Sequence, residues 1–349
     1  MMTKIKERFP QLKGSFIWIF SIGCIVFGIL IAFISLLMVG FDLNRLNTDG
    51  EWEQRTLVQP LGEISEIHID SRNVRIEVRP SGGDEIVITY FENNHTTFTE
   101  TTTNNSVSLI QDRNTNRIFH QFGVRFNVGQ GGIVVEIPEK ALLAGDFRTR
   151  NGRIEISEMS FDKLQARSSN GVVRLSEVAV DGEVIVDTTN AMIQLSDSDF
   201  NDHVSLSTTN GNINIEDVNL AGNLTMRTSS GGGNLTNVTS TGDLTLRTTN
   251  GRIETRNVTA RGDMDFSTTN GAVNLERTIF NNANITTTNG RVTINDLQDH
   301  EDYRIVTRTS NARTIIGELR LEGRNNSIGD GERLLDIRTS NGNIEVRFD

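Results

Sequence analysis

The sequence predicts an all-β, single-stranded β-solenoid (β-helix) of about 20-residue coils, preceded by one N-terminal transmembrane helix. Three observations carry this. A Thr-Thr-Asn-Gly motif or a close variant of it recurs ten times between Thr149 and Val346. The residues flanking it alternate apolar and polar with the period of a strand. Residues 14–41 hold no charged side chain.

The apolar stretch comes first along the chain. It is long enough to cross a bilayer with some tilt. The flank before it holds Lys4, Lys6, Arg8 and Lys13 against Glu7, and the flank after it begins at Asp42. The positive-inside rule then places residues 1–13 in the cytoplasm as a short tail. The expected location is the cell membrane, single-pass, with an extracytoplasmic C-terminal domain. A cleaved signal peptide would need a shorter apolar core and a small-residue cleavage site, and neither is evident. Cys24, the sole cysteine, lies inside this span, so the exterior part has no disulfide.

Residues 42–60 read as a polar stalk and 61–138 as irregular capping coils, with regular repeats over 139–349. Within the capping region, 67–70, 74–78, 85–91, 118–128 and 132–138 have strand patterning. Residues 93–106, rich in Thr and Asn, read as a loop. Terminal repeats are usually atypical, which suits a cap.

In the repeats, the Asn slot falls at Asn151, Asn170, Asn190, Asn210, Ser230, Asn250, Asn270, Asn289, Asn311 and Asn341. The steps are 19 or 20 residues as far as Asn289, then 22 and 30. One diverged coil is expected before Asn151, near Ile133. With each Asn numbered zero, position −2 is always Thr or Ser. Positions −6 and −4 are mostly apolar (Val204/Leu206, Leu244/Leu246), as are +3 and +5 (Ile213/Ile215, Val292/Ile294). Positions +8 and +10 often follow suit, which gives two clear short strands per repeat and a third after them. Gly at +1 suits a positive φ at a sharp bend. Asn-Gly is also a hairpin signal and would give an antiparallel meander. A hairpin offers no reason for the constant −2 residue. A solenoid does, because like positions stack and their side chains bond to copies above and below. The expected structural ladder is Thr208, Asn210, Thr228, Thr248, Asn250, Thr268, Asn270, Thr287 and Asn289. Residues 323–332 are expected to loop out. The strand ending near Val346 would then be an open edge, a candidate for edge-to-edge self-association.

The opening strands (67–70, 74–78), the junction GIVVEIPEKALLAGDFRTRNGRIEI (132–156) and the serial Thr-Thr-Asn-Gly copies resemble the bacterial adhesin family defined by a DUF4097 domain. The resemblance covers about residues 64–349. It implies a β-solenoid and an adhesin-type role. Because some members are encoded near envelope-stress regulators, it also implies a regulatory alternative that binds a membrane partner. It supplies no catalytic residues.

Chemistry is sparse. His68, His95, His120, His203 and His300 lack metal-ligand spacing, and no cysteine joins them. No nucleophile-elbow, phosphate-loop or dinucleotide fingerprint occurs. Asp181, Asp197, Asp199, Asp217, Asp243, Asp263 and Asp296 fall at or near corners, as turn formers do. A carbohydrate-active β-helix would need such groups clustered. Position −3 carries Arg148, Arg167, Arg227, Arg247, Arg308 and Arg338, a broken stripe that is either a contact for acidic wall polymers or a solvated face balanced by neighbouring Glu. The first 13 residues carry +3, which leaves −14 for the rest of a chain of net charge −11. Nucleic acid, which wants a basic face, is not an expected partner. No catalytic, metal or cofactor-binding residue is expected. The expected partners are the membrane and a cell-wall or surface polymer, or an envelope protein.

Overall fold

A computed structural model describes residues 10–38, 52–93, 96–112 and 131–348, and the expected strand at 118–128 lies outside these residues. The chain forms two units. The first contains a helix, Pro10–Met38. At 1.5 Å per residue it is roughly 43 Å long. Its stretch Trp18–Ser35 is apolar and long enough to cross a membrane. It starts four residues before the expected boundary at residue 14, and positions 39–41 lie outside the described residues.

The second unit is a β-solenoid. Neighbouring coils are parallel and in register. One apolar column runs Leu224, Leu244, Met264, Ala283. Another runs Ile213, Gly233, Ile253, Val273, Val292. Each coil has three short straight runs, at −6 to −3, +3 to +6 and +8 to +10. The alternating inward side chains of these runs form one continuous core. Phe147 and Phe161 meet edge to face with centroids 6.1 Å apart. Gly145 is small for that reason, because a Cβ there would lie 2.7 Å from the Phe147 ring and 2.9 Å from the Phe161 ring.

The corners differ from expectation. The Asn-Gly glycines do not have positive φ. The left-handed residues sit at +7 instead: Glu158, Glu177, Asp197, Asp217, Asn237, Asn257, Arg277 and Asp296. Short polar side chains tolerate that region best, which accounts for most of the column. Glycine at +1 answers a close approach. A Cβ on Gly251 would lie 1.7 Å from the carbonyl oxygen of Gly231, and one on Gly271 would lie 1.6 Å from that of Gly251.

The coils at both ends are stacked out of chain order. At the C-terminal end, Tyr303–Thr309 and Thr314–Ile316 form the outermost coil. The last coil, Arg333–Thr339 and Ile344–Phe348, inserts between it and the coil of Ala283–Thr286 and Val292–Leu297. Leu319–Leu321 and Asn325–Ile328 return antiparallel and cover the outer coil. Residues 325–328 are therefore a capping strand where a loop was expected. The final strand is paired on both sides and is not an open edge.

The N-terminal end uses the same device in reverse. Glu66–Asp70 and Ile76–Ser81 sit between the outer coil (Ser106–Gln111, Ile133–Pro138) and the coil that begins at Leu143. Phe98–Thr102 covers Ser106–Gln111, Glu85–Glu92 covers Ile133–Pro138, and Glu53–Pro60 pairs with Glu85–Glu92, all antiparallel. Residues 53–60 thus belong to the cap and not to a stalk, and 98–102 form a strand and not a loop. Neither is legible in the sequence, because a cap strand buries little. Of Phe98–Thr102 only Phe98 is buried, so the alternation that marks a strand is missing.

Candidate functional site

The first corner, positions −3 to +1, concentrates the repeated polar chemistry. At −2 the side chain turns inward. Thr248 Oγ1 donates to the Gly231 carbonyl of the preceding coil at 2.9 Å and accepts from the Gly251 N–H of its own coil at 3.1 Å. The same pair of bonds recurs at Thr208, Thr228, Thr268 and Thr287. The threonines align in a column, but the expected bonds from each to its copies above and below are replaced by bonds to backbone. Each is a clamp between two backbones, because the glycine corners approach too closely to leave a side chain between them. The clamp satisfies one donor and one acceptor that burial would otherwise orphan.

The Asn slot is a side-chain ladder. Asn170 donates to Asn151 at 2.5 Å, Asn190 to Asn170 and Asn210 to Asn190 at 2.6 Å each. Ser230 reaches Asn210 at 3.4 Å. The run resumes as Asn270 to Asn250 and Asn289 to Asn270, both at 2.8 Å. Asn341 then donates to Asn289 at 2.7 Å and Asn311 to Asn341 at 2.8 Å. At the other end the ladder continues to Asn73, which accepts from Asn151 at 2.5 Å. Sequence reasoning missed Asn73. The signal was Ser-Arg-Asn-Val at 71–74, with a buried Ser71 in the −2 slot, but it lies 78 residues from Asn151.

The carboxylates join further ladders. Asn237 donates to Asp217, Asn219 to Asp199 and Asn201 to Asp181. Asp243 accepts from the Asp263 backbone at 2.9 Å, and Asp263 from Asn281 and Asn282. Asp197 and Asp296 occupy left-handed corners. Asp243 and Asp263 line one opening of about 410 Å³ with Asp265, Asp336 and Arg338, and the other aspartates are spread along their columns one coil apart. Of the histidines, His68 Nδ1 is 3.0 Å from Asp146 and His300 stacks on Phe348 at 4.2 Å. His95 and His120 lie outside the described residues. Among the described residues no three His, Cys, Asp or Glu side chains are placed to hold a metal.

The −3 arginines line one wall of a groove beside this corner. The floor is the −2 column and the other wall is the −1 column. Aspartates, more than the glutamates expected from sequence, balance the stripe. Arg148 pairs with Asp146 at 2.8 Å, Arg167 with Asp187 at 3.1 Å and Arg247 with Asp265 at 2.7 Å. Arg338 and Arg308 share Asp336 at 2.6 and 3.2 Å. Burial works to raise the pKa of Asp146, and the hydrogen bonds from His68 and Arg148 outweigh it and hold the pKa below the usual carboxylate range. The groove opens to about 710 Å³ at its N-terminal end, around Arg72, Arg148, Arg150 and Arg167, with Asp70, Asp112 and Asp187 also lining it. It opens to about 310 Å³ at the other end, around Arg308, Arg324 and Arg338.

The Toastrack DUF4097 family model matches residues 64–231 and 221–318. Similar solved structures include a "putative adhesin" from Bacteroides fragilis, 12% identical, covering 85% of this chain and 97% of that one, with a TM-score of 0.34. A "putative cell adhesion protein" from Clostridium sporogenes is 9% identical, covers 86% and 100% of the two chains, and has a TM-score of 0.23. A "putative lipid binding protein" from Parabacteroides distasonis is 9% identical, covers 85% and 97%, and has a TM-score of 0.25. No curated protein matches the chain. The family model spans well over half of the sequence, and the chain belongs to the Toastrack DUF4097 family.

Proposed function

We propose that this protein is a membrane-tethered, non-enzymatic β-solenoid that stands outside the cell and serves in adhesion or envelope architecture. The observation that carries this reading is the use made of its outward polar groups. Asparagines, aspartates and arginines are spent coil by coil on neighbours of the same column, so the surface repeats one set of contacts many times. Repeated weak contacts gain strength through multivalency. A hydrolase needs the opposite, two or three titratable groups converging on one point. The apolar helix supports a tether, and the +3 charge of the residues before it supports an inward N-terminus.

The test is deletion in a host that carries the protein, with surface attachment and envelope integrity as readouts. Loss of either, restored by the full chain but not by a secreted form lacking residues 1–41, is the expected result. A deletion strain that matches the parent in both would sink the proposal.

A further inference from the structure

We propose that the groove beside the first corner is a binding track for a linear anionic carbohydrate polymer of the envelope, with Arg72, Arg150, Arg227 and Arg324 as its cationic contacts. The inference rests on the exterior placement proposed above and names a ligand class for that surface.

The stacking of arginines comes first. Arg148 and Arg167 are register partners, as are Arg227 and Arg247, and Arg338 and Arg308. Strand neighbours lie about 4.8 Å apart. Like charges directly opposite one another oppose folding, so three such pairs in one column have a cost that must be met by counter-charge. Part of it is met by Asp146, Asp187, Asp265 and Asp336, as described. Among the described residues, Arg227 is the one arginine of this column left without a carboxylate, and off the column Arg72, Arg150 and Arg324 beside the groove also pair with none. Arg150, Arg227 and Arg324 are exposed and Arg72 is partly so. Arg72 and Arg150 line the N-terminal opening from the −1 side, Arg227 lies on the −3 wall in register with Arg247, and Arg324 lines the far opening.

The facing wall fits the other half of a carbohydrate. Thr189, Thr209, Ser229, Thr249 and Thr269 occupy successive −1 positions, all exposed. They present one hydroxyl per coil, able to donate and to accept. From the Asn73 coil to the Asn311 coil the track runs roughly 50 Å at about 4.8 Å per coil. That length and that repeat suit an extended polymer better than a compact molecule. The groove openings are lined by no aromatic side chain, which removes the stacking platform that single-stranded nucleic acids need. The acidic charge of the whole chain does not forbid an anion here. Charges beyond about 8 Å are largely screened at physiological ionic strength, whereas a guanidinium and an anionic oxygen in contact form a charge-assisted bond.

The experiment uses the full chain in neutral detergent, with polygalacturonate as the probe, dextran as the uncharged control and oligo(dT) as the nucleic-acid control. Polygalacturonate is expected to bind more tightly as its length grows, and less tightly as salt rises from about 50 to about 300 mM, through counterion release. Dextran is expected not to bind. The triple variant Arg72→Gln, Arg150→Gln, Arg227→Gln is expected to bind at least about tenfold more weakly, with an unchanged thermal midpoint. Should the triple variant lose fold, Arg227→Gln alone carries the test, with a drop of about twofold to threefold expected. Arg256→Gln, on another run of the coil and paired with Glu276 at 3.0 Å, is expected to bind as the parent does. Three results would overturn the inference: no binding at about 50 mM salt, an equal loss in Arg256→Gln, or oligo(dT) binding as tightly as polygalacturonate. An attachment defect on deletion without polymer binding would overturn this inference alone and leave the proposed function standing.

Discussion

Asn341 donates its side-chain amide to Oδ1 of Asn289, 2.7 Å away in space and 52 residues away in the chain. Asn311, which lies between them in sequence, sits beyond Asn341 in the stack. The column of corner amides thus follows the order of coils in space. It shows that the C-terminal coil is inserted and not appended. The arrangement gives both ends of the solenoid short antiparallel covers in place of an open parallel edge, which would be a template for aggregation.

The −2 threonine clamp predicts a contrast between two substitutions. Thr248→Val removes a bond on each side and leaves a buried carbonyl and N–H unpaired, at a cost of about 2–3 kcal/mol. Thr248→Ser keeps the hydroxyl, as Ser168 does with Gly152 and Gly171, and costs well under half as much. Denaturant midpoints of the two variants provide the check. Equal midpoints would contradict the clamp.

Close approach at +1 predicts that Gly251→Ala is destabilising although its φ is ordinary. The added methyl would lie 1.7 Å from the Gly231 oxygen, so the coils must shift apart, which costs about 1–3 kcal/mol. Ala191 shows the effect in place. Its N–H reaches Thr188 at 3.4 Å, against 3.0 to 3.2 Å at most glycine corners. Ala191→Gly should therefore shift the thermal midpoint upward or not at all, against the usual glycine penalty.

Gly233 occupies a core column otherwise filled by Ile and Val. Met226 Cε and Leu246 Cδ2 lean over it, 3.3 and 3.5 Å from where a Cβ would stand. Both contacts are ends of flexible side chains. Gly233→Ala is expected to stabilise by about 0.5–1 kcal/mol, from filling and from reduced freedom of the unfolded chain. A lower midpoint would mean that the site is already full.

The pair of His68 and Asp146 predicts a pH dependence. The folded pKa of Asp146 is lowered, so its stabilisation is fully present above the ordinary aspartate range. It is lost as pH falls through the lowered value, below about 4. Asp146→Asn should cost about 1–2 kcal/mol near neutrality, and the gap to the parent should narrow as pH falls below the ordinary aspartate range. Thermal midpoints across that range test this, and a gap independent of pH would refute it.

Much of this molecule can be read from its residues, because a solenoid writes each packing rule many times. The apolar columns, the third run at +8 and +10, and the aligned amides all follow from a period near 20. The Thr clamp is less legible, since a constant Thr says that a hydroxyl is needed and not which atom it meets. The left-handed corner at +7 carries a signal in its run of Glu, Asp and Asn, but Asn-Gly is the stronger turn signal and points to a different corner. The order of coils at the ends was the least legible. The steps of 22 and 30 marked an irregularity around Asn311 and Asn341. Which coil inserts between which is decided by the fit of Leu335 and Ile337 against Ala283 and Ile285, a tertiary match that no local pattern records. The groove contacts Arg72 and Arg150 are likewise neighbours only after the Asn73 coil docks beneath Asn151.

The central claim is that coils stack in the spatial order of Asn289, Asn341 and Asn311. Cysteine cross-linking in the full chain, with Cys24 replaced by Ser, tests it most directly. Corner positions one coil apart are about 4.8 Å from each other, within reach of a disulfide, whereas two coils apart are not. Asn289→Cys with Asn341→Cys should cross-link under mild oxidation, and Asn289→Cys with Asn311→Cys should not. The reverse result would contradict the inserted coil and the stacking built on it.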